Sequence, residues 1–265
     1  MRLEHSFLPV DGVGETRERR LWEAGIERWD LFDPDSAPLG PGTAERIMMF
    51  LDEADDRLRA ADTRFFADRL PSSEIWRLYE DFRDDTVYFD IETTGLDRRQ
   101  AVVTTLSAYQ GGQMRTFVRD RDLTAGRVEQ VLNDAPLITS FNGIQFDIPF
   151  LEEALDISIE TPHLDLRYPC SSLGLKGGLK RIEQLLGISR QSTGVDGRDA
   201  IRLWRMYDRR NDGAALDELI AYNQDDTENL QMLADVVAHE LHAATAGTLL
   251  SDVPHFGDPR QRSGR

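Results

Sequence analysis

The segment from Val87 to Gly95 constrains the fold more than any other, because it reads Val-Tyr-Phe-Asp-Ile-Glu-Thr-Thr-Gly. β-Branched and aromatic residues favour a strand, and the glycine predicts where it ends. Side chains two residues apart in a strand share a face, so Asp90 and Glu92 are predicted neighbours. Adjacent carboxylates repel each other, and a divalent cation commonly offsets this repulsion. The alternative interpretation is an acidic pair on a solvated edge strand.

The composition is that of a folded and strongly acidic chain. Its 265 residues suffice for one large domain or two smaller ones, and 40% of them are apolar. The formal net charge is −17, and Lys176 and Lys180 are the only lysines among the 31 basic residues. Such a protein stays dissolved where salt screens charge repulsion, so we expect a halophilic source, although a GC-rich genome also explains abundant arginine. The charge counts weakly against a nucleic-acid partner, because backbone binding normally uses a basic surface.

Simple features of the sequence exclude several classes of protein. Cys170 is the only cysteine, so the sequence allows no internal disulfide and no cysteine-rich zinc site. No apolar run approaches the roughly 18 residues that indicate a membrane-spanning helix. The first residues, Met1 to His5, contain no apolar signal core, so we expect a cytoplasmic protein.

The hydrophobic pattern divides the chain into residues 1–84, 85–243 and 244–265. The first part has a helical pattern without a clear strand. The second part combines strand and helix signals in an order that predicts an α/β fold, with a mixed sheet flanked by helices. The third part is rich in Ala, Gly, Ser and Pro, and predicts a frayed tail.

Individual elements follow from the same pattern. In the first part we predict helices over 15–25, from residue 44, and from Pro71 through Phe82. Strands are predicted at 86–91, 101–109, 113–118, 136–141 and 164–166, with a hairpin turn at Gly111-Gly112. Helices of the second part are predicted at 123–133, 145–155, 178–186, 198–208 and 215–241.

A third candidate carboxylate follows a later predicted strand. This strand ends at Asn142 and Gly143, and Asp147 lies in the first turn of the next helix. An acidic residue at a helix N-terminus also complements the helix dipole, which is the structural interpretation. The functional interpretation is a carboxylate projected towards Asp90 and Glu92.

The last candidate residues lie on the helix predicted at 215–241. Tyr222 and Asp226 are four residues apart and therefore share one face of this helix. Asp225 points away from that face, and we predict that it is a solvated charge. Taken alone this pair is ordinary, since a tyrosine four residues before an aspartate often occurs by chance.

Together, the motifs resemble the four-acid exonucleases of the ribonuclease-H-like superfamily. Asp-x-Glu on a first strand, Asn-x-x-x-Phe-Asp after a later strand and Tyr-x-x-x-Asp on a late helix occur in the same order. One branch has histidine five residues before the last acid, where this chain has Ala221, so the chain resembles the tyrosine (DEDDy) branch. Segments 163–166 and 179–188, and the end of the third motif with Asn223, Asn229 and Leu230, further resemble the YprB-type domain, a family of predicted 3′–5′ exonucleases. This resemblance covers residues 84–240.

The resemblance implies a ribonuclease-H-like fold with a helical N-terminal extension, and a two-metal 3′–5′ exonuclease acting on DNA or RNA. Two divalent ions about 3.5–4 Å apart activate a water and stabilise charge on the leaving oxygen. Hard oxygen ligands favour Mg²⁺ or Mn²⁺. By resemblance, Asp90 would bridge both ions, while Glu92 and Asp226 would complete one of them. Asp147 would hold the other ion through water, and Tyr222 would position the attacking water.

Four residues are candidates for binding the substrate, namely Thr93, Asn142, Phe146 and Lys180. Each of the last three also has a structural interpretation. Phe146 is better explained as a core residue than as a base-stacking platform, and Asn142 as a partner of the backbone at the strand end. Lys180 is explained equally well by a phosphate contact and by a position on a helix surface.

Two further segments keep alternatives open. His163 and Asp165 are candidates for lining the substrate groove. The alternative for Asp165 is a structural role as a hydrogen-bond acceptor. The Gly-Val-Gly sequence at 12–14 resembles the start of a helix-hairpin-helix element, whose backbone N–H groups bind phosphate. Its flanking acids, Asp11 and Glu15, favour a purely structural turn instead.

Other functions compatible with the sequence use the same residues differently. One is a structure-selective nuclease or an RNA-processing exonuclease. Another is a nucleic-acid-binding module without catalysis, and a third is a metal-dependent phosphoesterase acting on small nucleotides. The intact set of acids and Tyr222 argue against lost catalysis.

Overall fold

The computed structural model describes residues 1–192, 194 and 196–250. Among the described residues, contacts within the chain define two compact units, one of residues 1–83 and 235–250, and one of residues 84–234. The domain boundaries expected after residues 84 and 243 stay predictions. Residues 251–265, most of the predicted tail, lie outside the described residues.

The predicted strands and helices occur in the expected order, and the structure adds two short α-helices, Thr63–Ala67 and Arg167–Ser172, that the sequence analysis did not predict. The five strands are β1 (Val87–Thr93), β2 (Val103–Gln110), β3 (Gln113–Val118), β4 (Ile138–Ser140) and β5 (His163–Asp165). The α-helices are α1 (Glu15–Glu23), α2 (Pro41–Arg59), α3 (Thr63–Ala67), α4 (Tyr79–Phe82), α5 (Ala125–Asn133), α6 (Asp147–Leu155), α7 (Arg167–Ser172), α8 (Leu179–Leu186), α9 (Gly197–Arg210) and α10 (Gly213–Thr245). Short 3₁₀ segments lie at Leu3–His5, Trp29–Leu31, Ser72–Leu78 and Arg83–Asp85.

The strands form one mixed sheet in the order β3-β2-β1-β4-β5. Strand β1 pairs antiparallel with β2 and parallel with β4, so it lies at the centre of the sheet. Strands β2 and β3 form the predicted hairpin, and β4 pairs parallel with β5. The predicted ribonuclease-H-like α/β fold, with a mixed sheet and a helical N-terminal region, is confirmed.

The hairpin turn shows how local sequence sets the register. Gly111 and Gly112 both have positive φ angles, of 55° and 79°. A two-residue turn with both central residues at positive φ matches the right-handed twist of the flanking strands, and glycine reaches that conformation without a steric penalty. The turn therefore fixes the pairing of Gln110 with Gln113.

Hydrophobic packing buries β1 against helices. Phe89 and Ile91 of β1 belong to a core that includes Val128 of α5 and Phe150 of α6. A second core joins α9 and α10 with Val118 of β3. Burial of apolar area on this scale supplies the main stabilisation of such a domain.

The unit formed by residues 1–83 and 235–250 has its own core. Trp29 packs against Phe50 and Phe66, with ring centroids 5.5 Å and 6.0 Å away, and these two rings also contact each other. A buried ion pair joins Arg77 to Glu18 at 3.0 Å, and Glu18 also accepts hydrogen bonds from backbone N–H groups. These extra hydrogen bonds offset the cost of burying the carboxylate.

The Gly-Val-Gly turn of this unit uses its carbonyl groups in the structure. The side chain of Arg17 donates to the carbonyl oxygen of Gly12, and that of Arg46 donates to Asp11 at 2.8 Å. Gly14 occupies the cap position before α1. A contact between this turn and nucleic acid stays a prediction.

Several predicted boundaries are wrong by a few residues, and one element differs in type. Strand β1 extends to Thr93, so Glu92 lies inside it. The helix predicted from Pro71 through Phe82 is a 3₁₀ segment over Ser72–Leu78 that becomes α-helical only at Tyr79. Helix α10 runs to Thr245, beyond the predicted end at 241 and into the predicted tail.

Among the described residues, no helix combines the length and apolar character that crossing a membrane requires.

Candidate metal centre

Strand β1 delivers two carboxylates to one face of the sheet. Because Phe89 and Ile91 pack into the core, the two-residue period of a strand puts Asp90 and Glu92 on the opposite face. Both acids are half-buried. Regular pairing with β2 shifts register just after Glu92, and such irregularities commonly occur beside active sites.

Helix α10 brings a third carboxylate to this pair. One oxygen each of Asp90, Glu92 and Asp226 lies within 4.8 Å of the other two. The structure thus brings together three of the four acids that the sequence singled out.

The fourth acid lies next to this group but outside it. Asp147, the first residue of α6, is buried, and its Oδ1 accepts a hydrogen bond from the backbone N–H of Ile91 at 3.2 Å. Its charge acts on both Asp90 and Glu92, where it raises the pKa of each. Asp147 therefore contributes to the same negative field, although it is not one of the three acids within 4.8 Å of one another.

The environment raises the pKa of all four carboxyl groups. Burial, followed by the charges of Asp147 and Asp226, raises the pKa of Asp90 well above its ordinary value. Burial and neighbouring acids raise the pKa of Glu92 to about 8, and burial raises that of Asp147 to about 7. Burial also raises the pKa of Asp226, although Arg190 stabilises its ionised form. The centre therefore retains protons at neutral pH unless cations compensate its charge.

Asn223 fixes the position of Asp90. Its Nδ2 donates to Asp90 Oδ2 at 2.7 Å and to the Asp90 carbonyl oxygen at 3.2 Å. Its Oδ1 accepts from the hydroxyl of Thr105 at 3.0 Å. Asn223 is fully buried, so these bonds anchor α10 to β1 and β2 at the centre. The sequence showed Asn223 within the third motif but gave no indication of this role.

Tyr222 lies beside the carboxylates and under two cations. Its ring centroid is 4.4 Å from Nζ of Lys180 and 5.7 Å from the guanidinium carbon of Arg190. Burial, and then the charges of Asp226 and other acids, raise the pKa of the Tyr222 phenol above its ordinary value. The hydroxyl therefore remains protonated at neutral pH, and it donates a hydrogen bond to the carboxylate of Asp226.

Three residues that the sequence analysis gave no role form a network at Asp226. Arg190 pairs with Asp226 and, at 2.5 Å, with Glu183, while Asn229 donates to Glu183 at 2.9 Å. Glu183 and Asn229 belong to the segments that carry the family resemblance. Arg190 lies in a loop without any periodic pattern, so no sequence signal distinguished it from the other arginines.

The candidate substrate-binding residues have different surroundings. The hydroxyl of Thr93 donates to the carbonyl of Gly95 at 2.7 Å. Asn142 has a φ of 69°, and its side-chain oxygen accepts from Arg167. Phe146 packs on Phe150, with ring centroids 5.0 Å apart, at the edge of the core. Of the four candidates, Lys180 is the one that lies over Tyr222 at the centre. Their contacts with a substrate stay predictions.

Two other acids have structural partners. Asp165 accepts hydrogen bonds from the backbone N–H groups of Asn142, Ile144 and Arg167, and so holds the loop after β4. The prediction that Asp225 is a solvated charge is wrong. It is half-buried and accepts a hydrogen bond from the backbone of Ser192, because the loop before α9 folds over this side of α10.

The donor set fits a hard divalent cation. Asp90, Glu92 and Asp226 offer carboxylate oxygens only, which suit Mg²⁺ or Mn²⁺. Burial is the main cause of the raised pKa values of these three acids, and repulsion from neighbouring acids adds to it at Asp90 and Glu92. A cation bound among the three carboxylates would offset that repulsion.

The mixed sheet, with carboxylates on its central strand and on two helices beside it, defines a ribonuclease-H-like α/β fold with a candidate metal centre. The chain belongs to the RNase H superfamily, since the model of that superfamily matches residues 87–238. No curated protein matches this chain.

Two solved structures are similar to the chain at low identity. The family B DNA polymerase from the hyperthermophilic archaeon Pyrobaculum calidifontis is 19% identical, with a TM-score of 0.43. The similarity covers 63% of this chain and 27% of the polymerase, so this chain spans only a small part of that protein. A structure described as the apo form of a nuclease is 18% identical over 63% of this chain and 88% of its own, with a TM-score of 0.35. Similarities this low do not bear on function.

Proposed function

We propose that this chain is a metal-dependent nuclease and, more specifically, a 3′–5′ exonuclease of the tyrosine branch that acts on DNA or RNA. The observation that carries the proposal is the convergence of Asp90, Glu92 and Asp226 within 4.8 Å. Membership of the RNase H superfamily supports a hydrolase that cleaves nucleic acid. The 3′–5′ direction and the YprB-type assignment rest on the order and spacing of the sequence motifs.

The four acids would hold the metal ions. When bound, two divalent ions supply an activated water and a counter-charge for the leaving oxygen. Asp90, Glu92 and Asp226 would supply the converging ligand oxygens, and Asp147 would add a fourth carboxylate beside them. Asn223 keeps the Asp90 carboxylate in place, so this ligand does not have to be ordered when metal binds.

Tyr222 would orient the attacking water by a hydrogen bond. Its raised pKa keeps the phenol protonated, which rules it out as a base at neutral pH and leaves it a donor. The ring is fixed by burial between the helix core and the two cations above it. Tyr222 is thus a rigid group beside the carboxylates and suits a positioning role.

A basic groove supports a phosphate-bearing substrate despite the net charge of −17. A cavity of about 620 Å³ is lined by Asn142, Arg167 and Lys176, together with the loop before α8. The other lysine, Lys180, lies at the metal centre. Lys176 thus lines this cavity, and Lys180 lies over Tyr222 at the candidate centre, and each would neutralise a phosphate of a bound strand.

The test is cleavage of end-labelled strands. Purified protein with Mn²⁺ or Mg²⁺, at several salt concentrations, should shorten 5′-labelled DNA or RNA stepwise and release labelled mononucleotide from 3′-labelled strands. Asp90→Asn and Asp226→Asn should each abolish cleavage. The matched control is Glu228→Gln, which removes an exposed acid two residues further along α10 and should cleave as the wild type does.

Other outcomes would point to the other functions. A wild-type protein that binds strands but cleaves none with either metal would contradict the enzyme proposal and favour a binding module. Hydrolysis of small nucleotides without any cleavage of polymers would favour a phosphoesterase. Cuts within circular strands would contradict the exonuclease assignment alone.

A further inference from the structure

Arg190 makes two ion pairs at the edge of the metal centre. Its Nη1 lies 2.5 Å from Glu183, and its Nη2 contacts Asp226, one of the three converging acids. The side chain is 13% exposed, so water screens these pairs only in part. A guanidinium group therefore neutralises Asp226 at the position where a cation is expected to bind.

Glu183 is a second, fixed partner for this arginine. It is 1% exposed, and its other oxygen accepts a hydrogen bond from Asn229 at 2.9 Å. Asn229 lies three residues after Asp226 on α10, and it also donates to the carbonyl of Ser189 in the loop that carries Arg190. If Asp226 turned to another cation, Glu183 would still hold the arginine in place.

A guanidinium group and a divalent cation at the same carboxylate oppose each other. Both are positive, and the partly buried site weakens the screening between them. Asp226 can serve as a full metal ligand only when its bond to Arg190 is weakened or broken. Breaking this bond costs free energy, and that cost weakens the affinity of the centre for the metal.

We propose that Arg190 is an exchangeable counter-ion of Asp226, which neutralises this acid in the metal-free protein and releases it when a divalent cation binds. The arginine then remains beside the centre through its pair with Glu183. This inference rests on the metal centre of the proposed function and adds a regulation of that centre by a residue of the chain itself.

The test measures metal affinity directly, without cleavage. Mn²⁺ is titrated into the full chain at pH 8, with binding followed by calorimetry and by the electron paramagnetic resonance signal of free Mn²⁺. Arg190→Gln should bind Mn²⁺ about tenfold more tightly than the wild type, a difference within reach of one ion pair. The metal-free variant should also melt at a lower temperature, because two buried carboxylates lose their partner.

Variants with opposite expectations separate this role from a general structural one. Glu183→Gln leaves Asp226 as the main partner of Arg190 and should weaken Mn²⁺ binding, whereas simple loosening of the fold would change both variants in the same direction. Arg190→Lys keeps the charge and should bind with intermediate affinity, which also tests the inference if Arg190→Gln fails to fold. Arg202→Gln, which removes an exposed arginine of α9, should bind as the wild type does.

The two proposals fail in different ways. A wild-type protein that binds no Mn²⁺ would overturn both the metal centre and the counter-ion. A wild type that binds Mn²⁺, with Arg190→Gln or Arg190→Lys binding no more tightly, would overturn the counter-ion alone. Equally weakened Mn²⁺ binding in the variants of Arg190 and Glu183 would also overturn the counter-ion role of Arg190.

Discussion

Asn223 of α10 donates a hydrogen bond to the side chain of Asp90 at 2.7 Å and another to its backbone carbonyl at 3.2 Å. One amide group thus links a helix near the end of the chain to the central strand at the residue expected to contact both metal ions. The hydroxyl of Thr105 donates to the same amide and holds its orientation. A buried, fully satisfied polar network of this kind fixes geometry as well as adding stability.

Replacing this amide should loosen the centre. Asn223→Ala leaves Asp90 and Thr105 without their partner, and we expect the free energy of unfolding to fall by about 1–3 kcal/mol. Urea titration measures that loss, and Mn²⁺ titration should show weaker binding as well. Gln224→Ala removes the neighbouring amide, which bonds Thr116 instead, and should leave metal affinity unchanged. Unaltered metal affinity in Asn223→Ala would argue against the positioning role.

The metal-free protein should lose stability as pH rises. Glu92, with a pKa of about 8, and Asp147, with a pKa of about 7, bind protons more tightly when folded than when unfolded. Such groups contribute stability that is present at low pH and is lost as pH rises through the folded pKa. Between about pH 4 and pH 8 we expect a loss of several kcal/mol, at about 1.4 kcal/mol per unit of pKa shift. Melting temperatures with chelator would show this slope.

Added metal and the substitution of single acids test the cause of this pH dependence. Saturating Mg²⁺ or Mn²⁺ should reduce the slope, because the cation replaces the protons. Glu92→Gln should also reduce it, whereas Glu228→Gln, an exposed acid, should not. A metal-free protein whose stability rises with pH over this range would contradict the raised pKa values.

Removing one central acid should separate stability from function. At pH 9, where repulsion among the ionised acids is greatest, Asp90→Asn should stabilise the metal-free protein by about 1–3 kcal/mol. The same variant should lose the rise in melting temperature that Mn²⁺ causes in the wild type. Thermal melts with and without Mn²⁺ give both quantities. A variant that keeps the full metal-induced rise would show that Asp90 is not a ligand.

Removing the hydroxyl of Tyr222 should lower the cleavage rate strongly and change the affinity for Mn²⁺ little. Tyr222→Phe keeps the buried ring under Lys180 and Arg190 and removes only the donor, so we expect the cleavage rate to fall about 10- to 100-fold. Mn²⁺ affinity should change less than threefold, because the phenol is not among the expected ligands. Single-turnover cleavage and metal titration measure the two effects, and Tyr207→Phe on α9 is the control. Equal losses of cleavage rate and of Mn²⁺ affinity in Tyr222→Phe would contradict a water-positioning role.

The loop after β4 should tolerate no side chain at Gly143. A Cβ atom there would lie 2.0 Å from Oγ of Ser140 and 3.1 Å from the ring of His163, two side chains that hydrogen-bond to each other at 2.8 Å. Gly143→Ala should therefore cost about 1–3 kcal/mol of unfolding free energy. Gly126→Ala on α5 meets nothing within 4 Å and should be neutral or slightly stabilising. Chemical denaturation of both variants checks the contrast.

Local patterns determined the strands and most of the helices of the second unit. The two-residue period of Val87–Thr93, together with two glycines at a hairpin turn, set β1 to β3, since both depend on neighbours in the chain. Boundaries were less well determined. The segment Ser72–Leu78 is 3₁₀ because packing decides between helix types in short segments, whereas the apolar spacing of the two is similar.

The sequence by itself predicted the three acids that the structure brings together, because their spacing within short motifs reflects the geometry of a strand and of a helix. Only the tertiary structure decided how these acids are held and neutralised. Asn223, Glu183 and Arg190 act across elements distant in the chain, through single hydrogen bonds and ion pairs that leave no periodic signal. Asp225 is a further example. Its position on α10 predicted a side chain exposed to solvent, but a loop distant in the chain supplies a hydrogen-bond donor to it.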